Sequence, residues 1–252
     1  MRMLKVSIIT ASYNAAENIR QTIESVLSQD YPNLEYWVID GGSTDGTLDI
    51  LKEYEGKINY LSEKDSGIYD AINKGLARVT GDIIGYIGAD DFYPNPHVYS
   101  TVVETMESTG AEAVFGDKQY VDPINTAKVV RYWRPGKNTD LKWLWGWMPT
   151  HMTFYASRKL VERNGPYRTD FKCSGDYEWL LRALFRKNVK TVYIPKLLIT
   201  MRAGGVSNAS LKHRFYANME DRKAWRVNGL KPYFWTVSMK PIRKIYQLFV
   251  KK

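Results

Sequence analysis

Three carboxylate signals mark this chain, two of them closing apolar runs, and acids so placed suit metal and phosphate chemistry better than core packing. Asp40 follows Tyr36-Trp37-Val38-Ile39, Asp90-Asp91 follow the run from Ile83 to Ala89, and Asp176 opens a helix-like stretch. Carboxylates just past the carboxyl ends of buried strands face the crevice in which an open α/β sheet binds its ligand. Two adjacent acids at one strand end make a site for a hard divalent cation, and such cations hold phosphates.

Two loops accompany these acids. Thr10-Ala11-Ser12-Tyr13-Asn14 ends the first apolar run, and its small hydroxyl residues let a nucleotide approach the backbone. The alternative is helix capping by Asn14 or Ser12. In Asp40-Gly41-Gly42-Ser43-Thr44-Asp45-Gly46 the glycines allow positive φ and close approach. Asp40 there can accept from a base N–H, and Asp45 caps the next helix.

The elements that must position these residues alternate. Residues 4–11, 34–39, 58–61 and 82–88 read as strands, and 14–29, 47–54 and 68–78 as helices. That rhythm implies right-handed βαβ units and a parallel sheet. Further on the pattern predicts a helix to about Ser108 after Pro94 and Pro96, and a strand over 111–116. A hairpin over 118–135 turns at 122–125. A strand over 152–156, a helix over 157–164 and a helix over 175–187 follow. Two short strands flank Pro195, and residues 208–228 form a helix.

The 252 residues suit one large α/β domain, and 44% apolar content is enough for a core. A single cysteine, Cys173, excludes an internal disulfide and fits a reducing compartment. The first residues lack a signal-peptide core, and no run approaches the roughly 18 apolar residues of a membrane span. The charge divides unevenly. Residues 1–211 carry 25 basic and 25 acidic residues, whereas 212–252 carry 11 basic and 2 acidic. A neutral body with a basic tail argues against nucleic-acid binding and requires a separate account of the tail.

Ser7 to Asn14, Val38 to Thr47, Asp65-Ser66-Gly67-Ile68-Tyr69-Asp70-Ala71-Ile72-Asn73-Lys74-Gly75 and the Asp90-Asp91 strand end together resemble the family 2 glycosyltransferases of GT-A fold. The bacterial branch that builds exopolysaccharide, capsule or lipopolysaccharide is the nearest fit. The resemblance spans roughly residues 4–205. It implies a Rossmann-like, mostly parallel sheet flanked by helices, a nucleotide-sugar donor and a divalent metal, Mn²⁺ or Mg²⁺, on the diphosphate. A GT-A domain over 1–205 is implied, with a donor half at 1–117 and an acceptor half at 118–205. Residues 206–252 then form a basic helical extension.

Carried over by position, Asp40 would accept from the nucleobase. Thr10, Ser12, Tyr13, Asn14 and Ser43 would line the nucleoside pocket. Asp65, Gly67, Asn73 and Lys74 would lie near base, ribose or phosphates. Asp91 would hold the metal directly, and Asp90 would touch the metal, ribose or donor sugar. The motif reads Ala89-Asp90-Asp91, so one acid of the D-x-D pattern is missing. Asp176 would be the catalytic base that takes the acceptor proton; Gly175 stands where the family often has a further acid. Arg202 would pair with diphosphate oxygens, as the loop Met201 to Ser207 carries a Gly-Gly-x-Ser core.

Other features stay two-sided. His151 either touches metal, diphosphate or acceptor, or packs in the core, while His97 and His213 read as surface residues. Trp143, Trp145 and Trp147 either line an acceptor groove or pack in the core or at a membrane interface. In Pro232 to Lys252 apolar and basic residues alternate at near-helical spacing. That suits an amphipathic helix on an anionic membrane, which would place the protein on the inner face of the cell membrane near a polyprenyl-linked acceptor. The alternative is packing on its own domain or a second subunit. The competing functions are a nucleotide-sugar nucleotidyltransferase and a non-catalytic sugar- or lipid-binding subunit. The first would carry a Gly-rich basic loop where Ser12-Tyr13-Asn14-Ala15-Ala16 stands.

Overall fold

The computed structural model describes residues 2–204 and 211–240. The chain opens with β1 (Val6–Ser12), α1 (Ile19–Leu27), β2 (Leu34–Asp40), α2 (Thr47–Glu53), β3 (Asn59–Ser62), α3 (Ile68–Leu76) and β4 (Ile83–Tyr86). It continues through α4 (Val98–Thr109), β5 (Ala113–Val121), β6 (Val129–Trp133), α5 (Asp140–Leu144), β7 (Tyr155–Ser157), α6 (Arg158–Asn164), α7 (Gly175–Leu184), β8 (Thr191–Arg202) and α8 (Leu211–Val227).

One sheet runs β3-β2-β1-β4-β7-β5-β6, with β8 paired to β5. The β3-β2-β1-β4 half is parallel throughout, and β5 and β8 are parallel. β7 runs antiparallel to both β4 and β5, and β6 antiparallel to β5. The α/β architecture expected from the alternating pattern is therefore present. Its parallel half reverses strand order between β1 and β4, the place where such sheets open a ligand crevice.

Neighbouring residues on one strand face opposite cores, because strand side chains alternate. Ile9, Ile39, Ile84 and Phe115 point into one core, with Trp143, Trp147, Phe154, Trp179 and Trp225. Ile8, Val38, Ile83 and Val114 point into the other, with Ile23, Val26, Tyr99 and Val102 from α1 and α4. The buried positions Ile19, Thr22, Ile23 and Val26 of α1 recur at the spacing of one helix face.

Several predicted boundaries move for identifiable reasons. Helix α1 starts at Ile19 rather than near Asn14, because Asn14 adopts a positive φ of 48° and bonds to the neighbouring loop instead of capping. Half of the expected 152–156 strand is a 3₁₀ turn, His151–Thr153, which leaves only Tyr155–Ser157 in the sheet. The two strands expected around Pro195 are the single strand β8. It bulges where the register passes from Gly116↔Ile194 to Asp117↔Leu197, and the bulge absorbs the missing proline N–H.

The tryptophan segment separates into two roles. Trp143 and Trp147 are fully buried, and their indole N–H groups donate to Asn138 Oδ1 and to the Pro135 carbonyl, both at 2.8 Å. They are core residues, so the expected acceptor groove is not built from them. Trp145 is 46% exposed and lies 5.9 Å from the Trp235 ring. The chain beyond α8 returns to this segment. Residues 236–240 form a helical turn over Gly146, which has a φ of +73°. A side chain on Gly146 would meet Lys240 N at 2.6 Å and Thr236 O at 2.7 Å. Residues 241–252 of the expected amphipathic tail lie outside the described residues, as do Gly205, Val206 and Ser207 and the His213 side chain. His97 is a surface residue, bonded through Nδ1 to Asp30 at 2.6 Å.

Candidate active site

The parallel register aligns Ser12, Asp40 and Ser62 in one row at the carboxyl edge of the sheet. Asp40 is fully buried there. Its Oδ1 accepts from Ser12 Oγ at 3.0 Å and Ser43 Oγ at 2.5 Å. Its Oδ2 accepts from Gly42 N at 3.1 Å, Ser43 N at 3.0 Å and Ser62 Oγ at 2.8 Å. Burial pushes this carboxyl up, but the hydrogen bonds from Ser43, Ser62 and Ser12 outweigh it and hold Asp40 below the usual carboxylate range. Five donors occupy the acceptor capacity of both oxygens. Asp40, where the base contact was expected, fastens the 41–43 turn.

The same turn is stitched to the loop after β1. Asn14 N donates to Ser43 Oγ at 2.8 Å, and Asn14 Oδ1 accepts from Thr44 N at 2.9 Å. Asp45 accepts from Ala16 N at 3.0 Å and from Thr47 N at 3.1 Å, but the N-cap of α2 is Gly46, without a side-chain cap bond, so the capping expected of Asp45 is not found. Thr10 Oγ1 lies 3.0 Å from Tyr36 OH and is fully buried, so Thr10, like Ser12, sits behind the pocket wall rather than in it. Tyr13 remains, 66% exposed.

Across from Tyr13 stands Asp65. A Cβ added to Gly41 would meet Asp65 Oδ2 at 2.5 Å and the Tyr13 ring at 3.4 Å. Only glycine at 41 lets the Asp65 carboxylate come so close to the backbone beside the Tyr13 ring. Gly67 N donates to Asp65 Oδ1 at 2.9 Å and fixes its direction. Lys74 Nζ supports the same loop, bonded to the Lys64 carbonyl and Glu63, each at 2.8 Å. Asn73 lies outside the pocket. Its amide exchanges two 2.8 Å bonds with the Tyr167 backbone and clamps that segment to α3.

Past the end of β4, the Asp90 and Asp91 carboxylates converge over Gly88. A Cβ at Gly88 would lie 2.7 Å from Asp91 Oδ2 and 3.1 Å from Asp90 Oδ1. Asp91 is buried, and burial, followed by the Asp90 charge, pushes its carboxyl well above the usual range. Lys118 and Arg202 oppose that shift. Two crowded carboxylates fit a hard divalent cation. No group of three or more potential ligand side chains exists among the described residues, so such a cation would take its other oxygens from water and phosphate. Arg202 donates to the Asp90 carbonyl and to Gln21 Oε1, and its guanidinium lies 5.4 Å from the Phe92 ring centre. It braces the acidic loop. Lys118, on β5, escaped the sequence reading; nothing in its local pattern distinguishes it, and the sheet brings its charge towards Asp91.

Asp176 is half-buried in the first turn of α7. Its Oδ1 accepts from Tyr177 N at 2.8 Å and lies 3.4 Å from Tyr69 OH. The Tyr69 ring explains the glycine at 175: a Cβ there would meet it at 2.7 Å, so a larger side chain has no space. Tyr69 itself was missed as a partner of Asp176, although the resemblance already included its motif. His151 is buried, with Nε2 2.7 Å from Tyr167 OH and its ring stacked 4.7 Å from Tyr86. Burial pushes its imidazole down, and Asp176 pulls it partly back. Of its two readings the packed one holds: His151 links Tyr167 to the end of β4, from which the chain reaches Asp90 within four residues.

Comparison with known proteins agrees with this arrangement. The family model "Glycosyl transferase family 2" matches residues 7–177. An uncharacterized glycosyltransferase of Mycobacterium tuberculosis (strain H37Rv) is 32% identical over 189 residues, covering 71% of this chain and 68% of the relative. S. aureus TarS 1–349, solved in complex with UDP-GlcNAc, superposes with a TM-score of 0.69 at 18% identity, covering 89% of this chain and 65% of that one. The mannosyltransferase PcManGT from Pyrobaculum calidifontis, solved with GDP-Man and Mn²⁺, superposes with a TM-score of 0.66 at 17% identity, covering 100% and 77%. This chain spans about two thirds of the mycobacterial relative and of TarS 1–349, and 45% of the longer TarS chain. With the match to the family model extending from β1 into α7, the chain belongs to glycosyl transferase family 2 and is a glycosyltransferase of GT-A fold.

Proposed function

We propose that the protein transfers a sugar, with inversion, from a UDP-sugar to a hydroxyl of a glycan or polyprenyl-linked acceptor in bacterial surface polysaccharide synthesis. The convergence of Asp90 and Asp91 over Gly88 carries this reading. The ligands of the TarS and PcManGT structures, a UDP-sugar and a GDP-sugar with Mn²⁺, support the donor class and the metal. A cation held by Asp91 and Asp90 would neutralise charge on the leaving diphosphate as a Lewis acid.

This chain's own residues supply the rest. Tyr13 presents a face for the nucleobase, and Asp65 accepts from its edge N–H, while Asp40, Ser43 and Asn14 keep that wall rigid. Asp176 accepts the proton of the acceptor hydroxyl as its oxygen forms the new bond to the anomeric carbon and the bond to the diphosphate oxygen breaks. Tyr69 orients the Asp176 carboxylate from α3. The donor half occupies 1–117 and the acceptor half 118–205.

The extension, residues 206–252, rests on an anionic membrane at the inner face of the cell membrane. Its basic excess and the exposed Tyr233 and Phe234, the latter 87% exposed, support that placement. No helix among the described residues is long and apolar enough to cross a membrane.

Calorimetric titration with UDP, GDP and their sugars, with and without Mn²⁺, tests the donor site. Metal-dependent binding of one nucleotide that disappears in Asp91→Ala supports the assignment. Folded protein that binds no nucleotide overturns it.

A further inference from the structure

The strongly basic segment 212–252 contains two acidic residues, Glu220 and Asp221; Glu220 bonds to the α/β body, and Asp221 pairs with Lys240 of the same segment. Glu220 projects from α8 to the loop that leads into α7. Its Oε1 accepts from Lys172 N at 2.7 Å, and its Oε2 accepts from Cys173 N at 2.7 Å and Ser174 N at 2.8 Å. Three successive backbone N–H groups thus converge on one carboxylate. These amides immediately precede α7, whose first-turn N–H groups have no partner within the helix. Ser174 Oγ also donates to the Ala217 carbonyl of α8 at 3.3 Å.

Asp221, buried beside it, holds the other side of the junction. Lys240 Nζ donates to both Asp221 oxygens at 2.8 Å and lies 4.0 Å from the centre of the Tyr177 ring. Trp225 Nε1 donates to Tyr177 OH at 2.9 Å. The residue before Asp176's helix and the residue after Asp176 are therefore both gripped from the C-terminal segment.

We propose that Glu220 is a positioning residue for transfer: by collecting the amides of residues 172–174 it sets the start of α7 and so the direction of the Asp176 carboxylate. This rests on the reading of Asp176 as the base. It makes α8 part of the catalytic machinery of a domain whose family match ends at residue 177. A misplacement of about 1 Å at a reacting group costs on the order of 100-fold in rate, so a loose α7 start must register in turnover.

The test uses the full chain with Glu220→Ala and Glu220→Gln, the second keeping the volume and one acceptor oxygen in case the first does not fold. Turnover is read as UDP release from UDP-N-acetylglucosamine and GDP release from GDP-mannose, each with Mn²⁺. Amide hydrogen exchange reads the loop directly. The expected result is faster exchange confined to residues 172–174 and a kcat lowered on the order of 10- to 100-fold with donor KM within about twofold. The double variant with Asp176→Asn should be no slower than Asp176→Asn alone, because Glu220 acts through Asp176.

Unchanged exchange at 172–174, unchanged kcat, or losses that multiply in the double variant would overturn the proposal while leaving Asp176 as base. A donor KM that rises in step with the fall in kcat would do the same, as it marks general loosening. Turnover retained by Asp176→Asn would remove the base reading, and the positioning role with it.

Discussion

Among the individual residues, Asp40 and Asp65 show how two acids near one pocket divide the work. Asp40 is surrounded by serine hydroxyls and turn amides, while Asp65 stands beside an exposed tyrosine over a glycine floor. Asp40→Asn should destabilise the fold by about 2–3 kcal/mol, because an amide N–H₂ would face donors where a carboxylate oxygen accepted. Asp65→Asn should leave the unfolding midpoint in place and weaken nucleotide binding at least tenfold. Denaturant unfolding and calorimetry on the two variants separate these outcomes, and the reverse pattern would return the base contact to Asp40.

Asp91 adds a pH dependence at the same scale. Burial and the Asp90 charge raise its folded value above that of the unfolded chain, so the folded state holds its proton longer. Stability of the metal-free protein should then fall as pH rises from the ordinary carboxylate range through the raised folded value. Asp91→Asn should flatten that part of the profile and raise the melting temperature of metal-free protein at neutral pH. A melting temperature lowered by the substitution would contradict the raised value.

The elements act through the places where their ends meet. Strands β1, β2 and β3 end in a common row, which is why Ser12, Asp40 and Ser62 can share bonds. Helix α7 starts against α3 through Tyr69 and Gly175, and 236–240 packs on the turn after α5 through Gly146. Gly146→Ala would need a left-handed φ of a non-glycine residue and would drive its Cβ into the backbone at 236 and 240. The expected cost is about 1–3 kcal/mol, read by thermal unfolding. Faster amide exchange at 236–240 should accompany it; slow exchange there with unchanged stability would show that the turn can shift without cost.

As a whole molecule the protein combines a charge-balanced α/β body with a basic extension, and the exposed rings Trp145, Tyr233 and Phe234 lie where the two join. Basic residues near an anionic leaflet contribute about 1 kcal/mol each, a gain that salt screens. The full chain should therefore co-sediment with vesicles containing phosphatidylglycerol at low salt and release at high salt. Phe234→Ser should reduce binding several-fold without altering nucleotide affinity. Equal binding to neutral vesicles would point instead to apolar insertion alone, and no binding to either would overturn the membrane role of the tail.

The order of strands and helices, the acids at strand ends and the basic bias of the tail were all legible in the sequence, because periodicity, turn residues and charge are local properties. What those residues face was decided only by the tertiary structure. The register places serines on both sides of Asp40, and β8 brings Arg202 to the Asp90 backbone. Trp143 and Trp147 could not be told from groove residues, since their burial depends on packing within the shared hydrophobic core rather than on their neighbours in sequence. Lys118 and Glu220 carry no local signature at all. Their roles come from contacts made across 27 and 46–48 residues of chain, and long-range contacts of that kind exist only once the sheet and its helices have packed.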